Sequence, residues 1–124
     1  MDSSVAKFKF ENLLVWQKAI DYVEFVYKIS QGFPRSETFG LQSQLRRAAV
    51  SIALNIAEGT GRTTKKDFRK FVHDATGSLR ESVTALHVAK RLSYIDQVDF
   101  DLAYLKATEI SKMLYRLAKS LEEK

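Results

Sequence analysis

Between Leu41 and Leu121, apolar side chains return alternately every three and four positions in three long runs. One run is Leu41, Leu45, Ala48, Ile52, Asn55 or Ile56, and Gly59; the next is Phe68, Val72, Ala75, Leu79, Ser82 or Val83, Leu86 and Ala89; the last is Ala103, Ala107, Ile110, Leu114, Leu117 and Leu121. A spacing that averages 3.5 residues keeps one stripe of a helix facing a partner helix, whereas a strand would need a period of two. Breakers are scarce, with 5 Gly and 1 Pro. Helices are expected at about 12–31, 37–58, 65–92 and 97–121. Their short links force antiparallel neighbours, so the expected fold is all-α, an antiparallel up-down-up-down four-helix bundle. One domain spans 1–124 in this reading, with an N-terminal arm at 1–11 and a C-terminal tail at 122–124.

The helix ends have local causes. Gly32-Phe33-Pro34 stops the first helix, and Ser36 is the expected cap of the second. Gly59-Thr60-Gly61 is expected to close the second helix through the left-handed conformation that glycine adopts freely. Thr64 offers an N-cap to the third helix, with Asp67 in its first turn, and Asp96 does the same for the fourth.

Helix 1 has two apolar stripes where a bundle needs one. Leu13, Trp16, Ile20, Val23 and Tyr27 form the first; Val15, Ala19, Tyr22, Val26 and Ile29 form the second, rotated by roughly 100°. If the first faces the core, Val15, Tyr22, Val26 and Ile29 become an oligomer interface, since large apolar side chains are costly to leave wet. The alternative is a wide core face with the arm, including Phe8 and Phe10, folded over it.

Whole classes of chemistry fall to composition. With 0 Cys there is no disulfide scaffold, thiolate nucleophile, zinc finger or iron-sulfur cluster. The uncharged run from Ala48 to Ala57 is far shorter than the roughly 20 residues of a membrane span. No basic segment followed by an apolar one opens the chain, so no membrane association and a cytoplasmic location are expected. His73 and His87 lie two heptads apart, about 21 Å along a helix, too far to share a metal. The paired Glu-x-x-His of a di-iron bundle is missing, and Gly59-Thr60-Gly61 is neither a Walker loop nor a dinucleotide fingerprint. No enzyme activity, catalytic residue, metal or cofactor is expected.

Charge is concentrated in the middle of the chain. The formal net charge is +5, and all of the excess falls between Arg35 and Arg91. Arg62, Lys65, Lys66, Arg69 and Lys70 face a single Asp67 there, the best candidate for binding RNA or DNA by phosphate contact. The competing reading is an ordinary solvated face. A second group, Gln44, Arg46, Arg47, Ser51, Asn55, Glu58, Ser78 and Glu81, lies on or beside the apolar seams. Polar groups there must find partners or cost roughly 1–3 kcal/mol each, so they read as a structural network. A link centred near Arg62 puts Ala48 opposite Thr76 and Gly77, Glu58 near Lys66 and Arg69, and Arg46 or Arg47 near Glu81. Ala48, Ala49, Ala53, Ala57, Ala75 and Gly77 would then let two backbones approach closely. The sharper alternative is a phosphate site in which the two arginines act with Asn55 and Glu58.

The segments FGLQSQLRRAAVSIALNIAEGTGR and FRKFVHDATGSLRE, with Trp16 and Phe33-Pro34 before them, carry a resemblance. Asn55-Ile56-Ala57-Glu58-Gly59, at its distance from Gln44-Leu45-Arg46-Arg47-Ala48, is its most specific part. The chain resembles the small bacterial family called four-helix bundle proteins or 23S rRNA intervening-sequence proteins, some of whose members are encoded within insertions in the 23S gene. The resemblance implies a four-helix bundle assembling as a homopentamer without established enzymatic activity. Related accessory proteins of diversity-generating retroelements are similar in form and bind nucleic acid and a reverse transcriptase. The functional expectation is a non-enzymatic homo-oligomer that binds RNA or DNA non-specifically through a basic rim. The alternative is an oligomeric protein-interaction scaffold, or a retroelement accessory-type protein, with no direct nucleic-acid role.

Overall fold

Four helices carry the seams: α1 (Leu14–Ser30), α2 (Leu41–Thr60), α3 (Lys65–Arg91) and α4 (Gln97–Ser120), with 3-10 turns at Lys9–Asn12 and Arg35–Glu37. These come from a computed structural model that describes residues 8–122; the first seven residues of the expected arm and 123–124 of the expected tail lie outside it. No strand occurs among the described residues, and no helix among them is long and apolar enough to cross a membrane. The helices run up, down, up and down. Lys18 of α1 reaches Glu109 of α4 at 3.1 Å, Ser51 of α2 meets Ser78 of α3, and His87 of α3 packs on Phe100 and Tyr104 of α4. Each helix touches its two neighbours around the bundle, and α2 and α3 pack most intimately.

The seams of α2, α3 and α4 face inward. Leu45, Ala48, Ile52 and Ile56, then Val72, Ala75, Leu79 and Leu86, then Ala103, Ala107, Ile110 and Leu114 are all buried. On α1 the assignment of stripes is reversed. Val15, Ala19, Tyr22, Val26 and Ile29 are the buried ones, so the expected oligomer interface at Val15, Tyr22, Val26 and Ile29 is the inner face of a single protomer. Trp16 and Val23 are half-buried at the edge, while Ile20 and Tyr27 are exposed. Phe10 of the arm lies 5.0 Å from the Trp16 ring and stacks on Phe8, so the covering-arm alternative holds at Trp16 but not at Ile20 or Tyr27. Equal spacing leaves both stripes competent to be core; in the one that is buried, the Tyr22 hydroxyl has a partner.

That partner lies across the bundle. The Tyr22 hydroxyl is 2.8 Å from Ser82 Oγ, and Ser82 donates its one proton to the Leu79 carbonyl at 2.7 Å, so Tyr22 is the donor. Burial pushes the Tyr22 phenol up to about 12. The ends of the helices are closed differently from expectation. Thr64 and Asp96 accept from the backbone N–H of Asp67 and Asp99 at 3.1 and 2.8 Å, as capping predicts. Ser36 is not a cap: it sits in the 3-10 turn, α2 starts later, and Glu37 Oε1 accepts from Leu41 N at 3.0 Å. Glu37 is held by the Tyr94 hydroxyl, which donates to Oε2 at 3.0 Å. No glycine among the described residues is left-handed; α2 runs to Thr60 and Gly61 has φ −84°. The left-handed residue is Ser93, φ 64°, which closes α3.

Ser82→Ala strands the Tyr22 hydroxyl without an acceptor in the core, and should cost about 1–3 kcal/mol in chemical denaturation. Adding Tyr22→Phe to it should recover most of that loss, because both polar groups are then gone.

Candidate nucleic-acid interface

The five expected cations gather at the end of the bundle where α2 turns into α3, and glycine is the reason they fit. A Cβ on Gly59 would lie 2.7 Å from Phe68 Cδ1 and 3.1 Å from Phe71 Cβ. Gly59 therefore serves close approach rather than helix termination. Phe71, brought against it, presents its ring to the guanidinium of Arg62 at 4.6 Å and to Lys70 Nζ at 5.1 Å. Phe71 is the member of this tip that charge counting does not pick out.

Carboxylates already engage three of the five. Arg62 is 3.9 Å from Glu58, Arg69 is 3.5 Å from Glu122, and Lys70 is 3.3 Å from Asp74. Exposed pairs of this kind are worth about 0–1 kcal/mol, and they dilute the positive field without abolishing it. Lys65 and Lys66, in the first turn of α3, are exposed and make no ion pair among the described residues. Beside them the backbone N–H groups of that turn add to the attraction for anions.

The expected polar network forms only in part. Ser78 donates to Ser51 Oγ at 3.0 Å, and the Asn55 amide donates to the Ser51 carbonyl at 2.9 Å. Register explains what is missing. With Ser51 facing Ser78, Ala48 lies nearer the level of Glu81 than that of Thr76 and Gly77. Gly77 consequently makes no close crossing: it is exposed, and a Cβ there would meet nothing within 4 Å. Glu58 pairs with Arg62 instead of Lys66 or Arg69. Arg46 turns toward α1, donating to Ser30 Oγ at 2.8 Å and to the Tyr27 carbonyl at 3.2 Å with its guanidinium 4.5 Å above the Tyr27 ring. It serves the open carbonyl end of α1, where a cation is favoured, and is not paired with Glu81. The remaining members, Gln44, Arg47 and Glu81, line an open groove of about 1060 Å³ on the outer side of α2 and α3. Leu54, 64% exposed, and Phe39, 98% exposed, line the same groove.

Arg46 and Arg47 thus point to different surroundings and do not converge with Asn55 and Glu58 on a phosphate site. His73 and His87 are both exposed, and among the described residues no group of three or more His, Cys, Asp or Glu could hold a metal.

The two helical glycines give opposite expectations for one substitution. Gly59→Ala should destabilise by about 1–3 kcal/mol, because Phe68 and Phe71 must move. Gly77→Ala should stabilise by about 0.5–1 kcal/mol, since alanine is the better helix former and space is open. Thermal unfolding of the two variants beside the parent checks both signs.

Comparison with known proteins follows the same lines. The family described as 23S rRNA-intervening sequence protein matches the chain over residues 11–116. Among solved structures, a Bacteroides thetaiotaomicron protein of unknown function from the S23 ribosomal protein family superposes with a TM-score of 0.77 at 24% identity, covering 86% of this chain and 99% of that one. At that identity the likeness concerns the fold. No curated protein matches the chain.

Proposed function

Starting from the fact that the chain belongs to the 23S rRNA-intervening sequence protein family, we propose that it is a non-enzymatic, self-associating helical bundle that binds RNA or DNA through phosphate contacts at its basic tip. The observation that carries this reading is the pair Lys65 and Lys66, exposed and outside every ion pair among the described residues, beside Arg62 mounted on Phe71. Multiplication strengthens it: each copy in an assembly adds a tip, and weak contacts to one polyanion add. No base-reading element accompanies the tip, so recognition is of backbone rather than sequence.

Self-association is supported by a surface other than the one the sequence pointed to. Leu54, Val88 and Leu92 are exposed along the groove of α2 and α3, and Phe39 stands almost wholly in solvent beside them. An apolar lining of this kind is what a second protein surface covers. The homopentamer implied by the family resemblance belongs to this proposal. The groove also favours a second reading, a protein-binding scaffold in which the tip serves only solubility.

Two measurements separate these readings. Lys65→Glu with Lys66→Glu should abolish binding of labelled RNA, and the parent should bind roughly a hundredfold more weakly at 200 than at 50 mM salt if about four phosphates are neutralised. Unchanged binding in the double variant rejects the tip. Light scattering on Leu54→Glu with Leu92→Glu should show smaller particles than the parent; the same mass in both would reject the groove as the self-association surface.

A further inference from the structure

The solvent face of α3 sorts its charges by heptad. Lys66, His73, Arg80 and His87 recur every seven residues, and Lys70, Gly77, Thr84 and Arg91 recur beside them; all eight are exposed. Asp67, Asp74 and Glu81 form a third set at the same spacing, displaced toward α2, where Glu81 lines the outer groove. The set that includes Arg80 is displaced the other way. Arg80 and His87 line a furrow of about 450 Å³ between α3 and α4, Lys90 lies 4.6 Å from the Phe100 ring, and Arg69 reaches Glu122. A drift of about 20° per heptad keeps Lys66, His73, Arg80 and His87 on one flank over roughly 30 Å.

The opposite wall of the furrow is neutral and aromatic. Tyr104, Thr108 and Ser111 line it from α4, and Tyr115 continues the same stripe one turn on. Tyr104 is 47% exposed and Tyr115 67%. Tyr104 is held in place, stacked 5.8 Å from the buried Phe100 ring and 6.2 Å from His87. Of the α4 carboxylates nearby in sequence, Glu109 pairs with Lys18 on the α1 side, and Asp101, one turn before Tyr104, accepts from Gln97 at 2.7 Å. Arg80 makes no ion pair among the described residues.

Positive charge at Lys66 and Arg80 facing exposed rings is an arrangement that holds a single strand, phosphates along the charge and bases against the π-faces. We infer that the furrow between α3 and α4 is a binding track for single-stranded nucleic acid, entered from the basic tip, with Arg80 on the phosphate backbone and Tyr104 and Tyr115 as stacking platforms. This rests on the nucleic-acid reading of the tip and narrows it from any polyanion to an unpaired strand. A duplex keeps its bases inside and gains nothing from the tyrosines.

Fluorescence anisotropy of the full chain with a labelled oligouridylate of about twelve nucleotides, and with an RNA duplex of equal length, tests it. Tyr104→Ala should weaken single-strand binding about tenfold and leave duplex binding unchanged, while Tyr104→Phe, which keeps the ring, should bind like the parent. Arg80→Gln should lower the single-strand salt slope by about 0.7, the value of one phosphate contact. Ultraviolet cross-linking of the unsubstituted protein should place the oligouridylate on Tyr104 or Tyr115, a readout independent of any variant's folding. Full single-strand binding by Tyr104→Ala and Arg80→Gln, alongside its loss in Lys65→Glu with Lys66→Glu, overturns the furrow and leaves the tip standing. Equal loss of duplex and single strand in Tyr104→Ala overturns the stacking role. A parent protein that binds neither RNA at about 50 mM salt overturns furrow and tip together, and leaves these surfaces to a protein partner.

Discussion

The close packing of α2 on α3 governs the rest of the molecule. Small residues make it possible: Ala48 and Ser51 on one helix, Ala75 and Ser78 on the other, and Gly59 at the end, where Phe68 and Phe71 leave no room for a Cβ. Once the backbones are that near, the polar atoms between them must pair, and Ser51 with Ser78 sets the register. The tip takes its shape from the same contact. Phe71 is pressed toward Gly59, Arg62 rests on Phe71, and the first turn of α3 projects with Lys65 and Lys66 exposed.

Register also decides which polar residues become surface. Arg46 is drawn to the end of α1, while Arg47 and Glu81 open onto the outer groove. On α3 the two flanks differ in side-chain chemistry. Asp67, Asp74 and Glu81 accompany the apolar groove shared with α2, and Lys66, His73, Arg80 and His87 accompany the tyrosines of α4. One helix thus divides the protein into a face suited to another protein surface and a face suited to a polyanion.

Much of this architecture is legible in the heptads. The inner residues of α2, α3 and α4 follow directly from their spacing, because a helix that buries one stripe needs apolar groups every three or four positions and α2 to α4 offer one such stripe each. The caps at Thr64 and Asp96 are equally local, since each is a side chain accepting from a backbone N–H three residues on. Helix α1 is the counter-example. Its two stripes are alike in periodicity, and the one that turns inward carries Tyr22, whose partner Ser82 lies sixty residues away. Gly59 is similar: Gly59-Thr60-Gly61 reads as a helix stop, and the contact that requires Gly59 comes from the next helix. Charge clustering along the chain finds the tip, but it misses the seven-residue sorting of cations and carboxylates, because counting along the chain averages over the faces of a helix.

The amino-acid order alone therefore established four helices, their approximate limits, most of their inner faces and the place where cations accumulate. Each of these depends on residues a few positions apart, whose relative placement the helix itself dictates. Which α1 stripe is buried, which cations are already engaged, and which residues oppose one another across α2 and α3 emerged from folding. Such pairings join groups distant in sequence, and their geometry exists only once the closest approach of two backbones has selected one register among several that the heptad pattern permits.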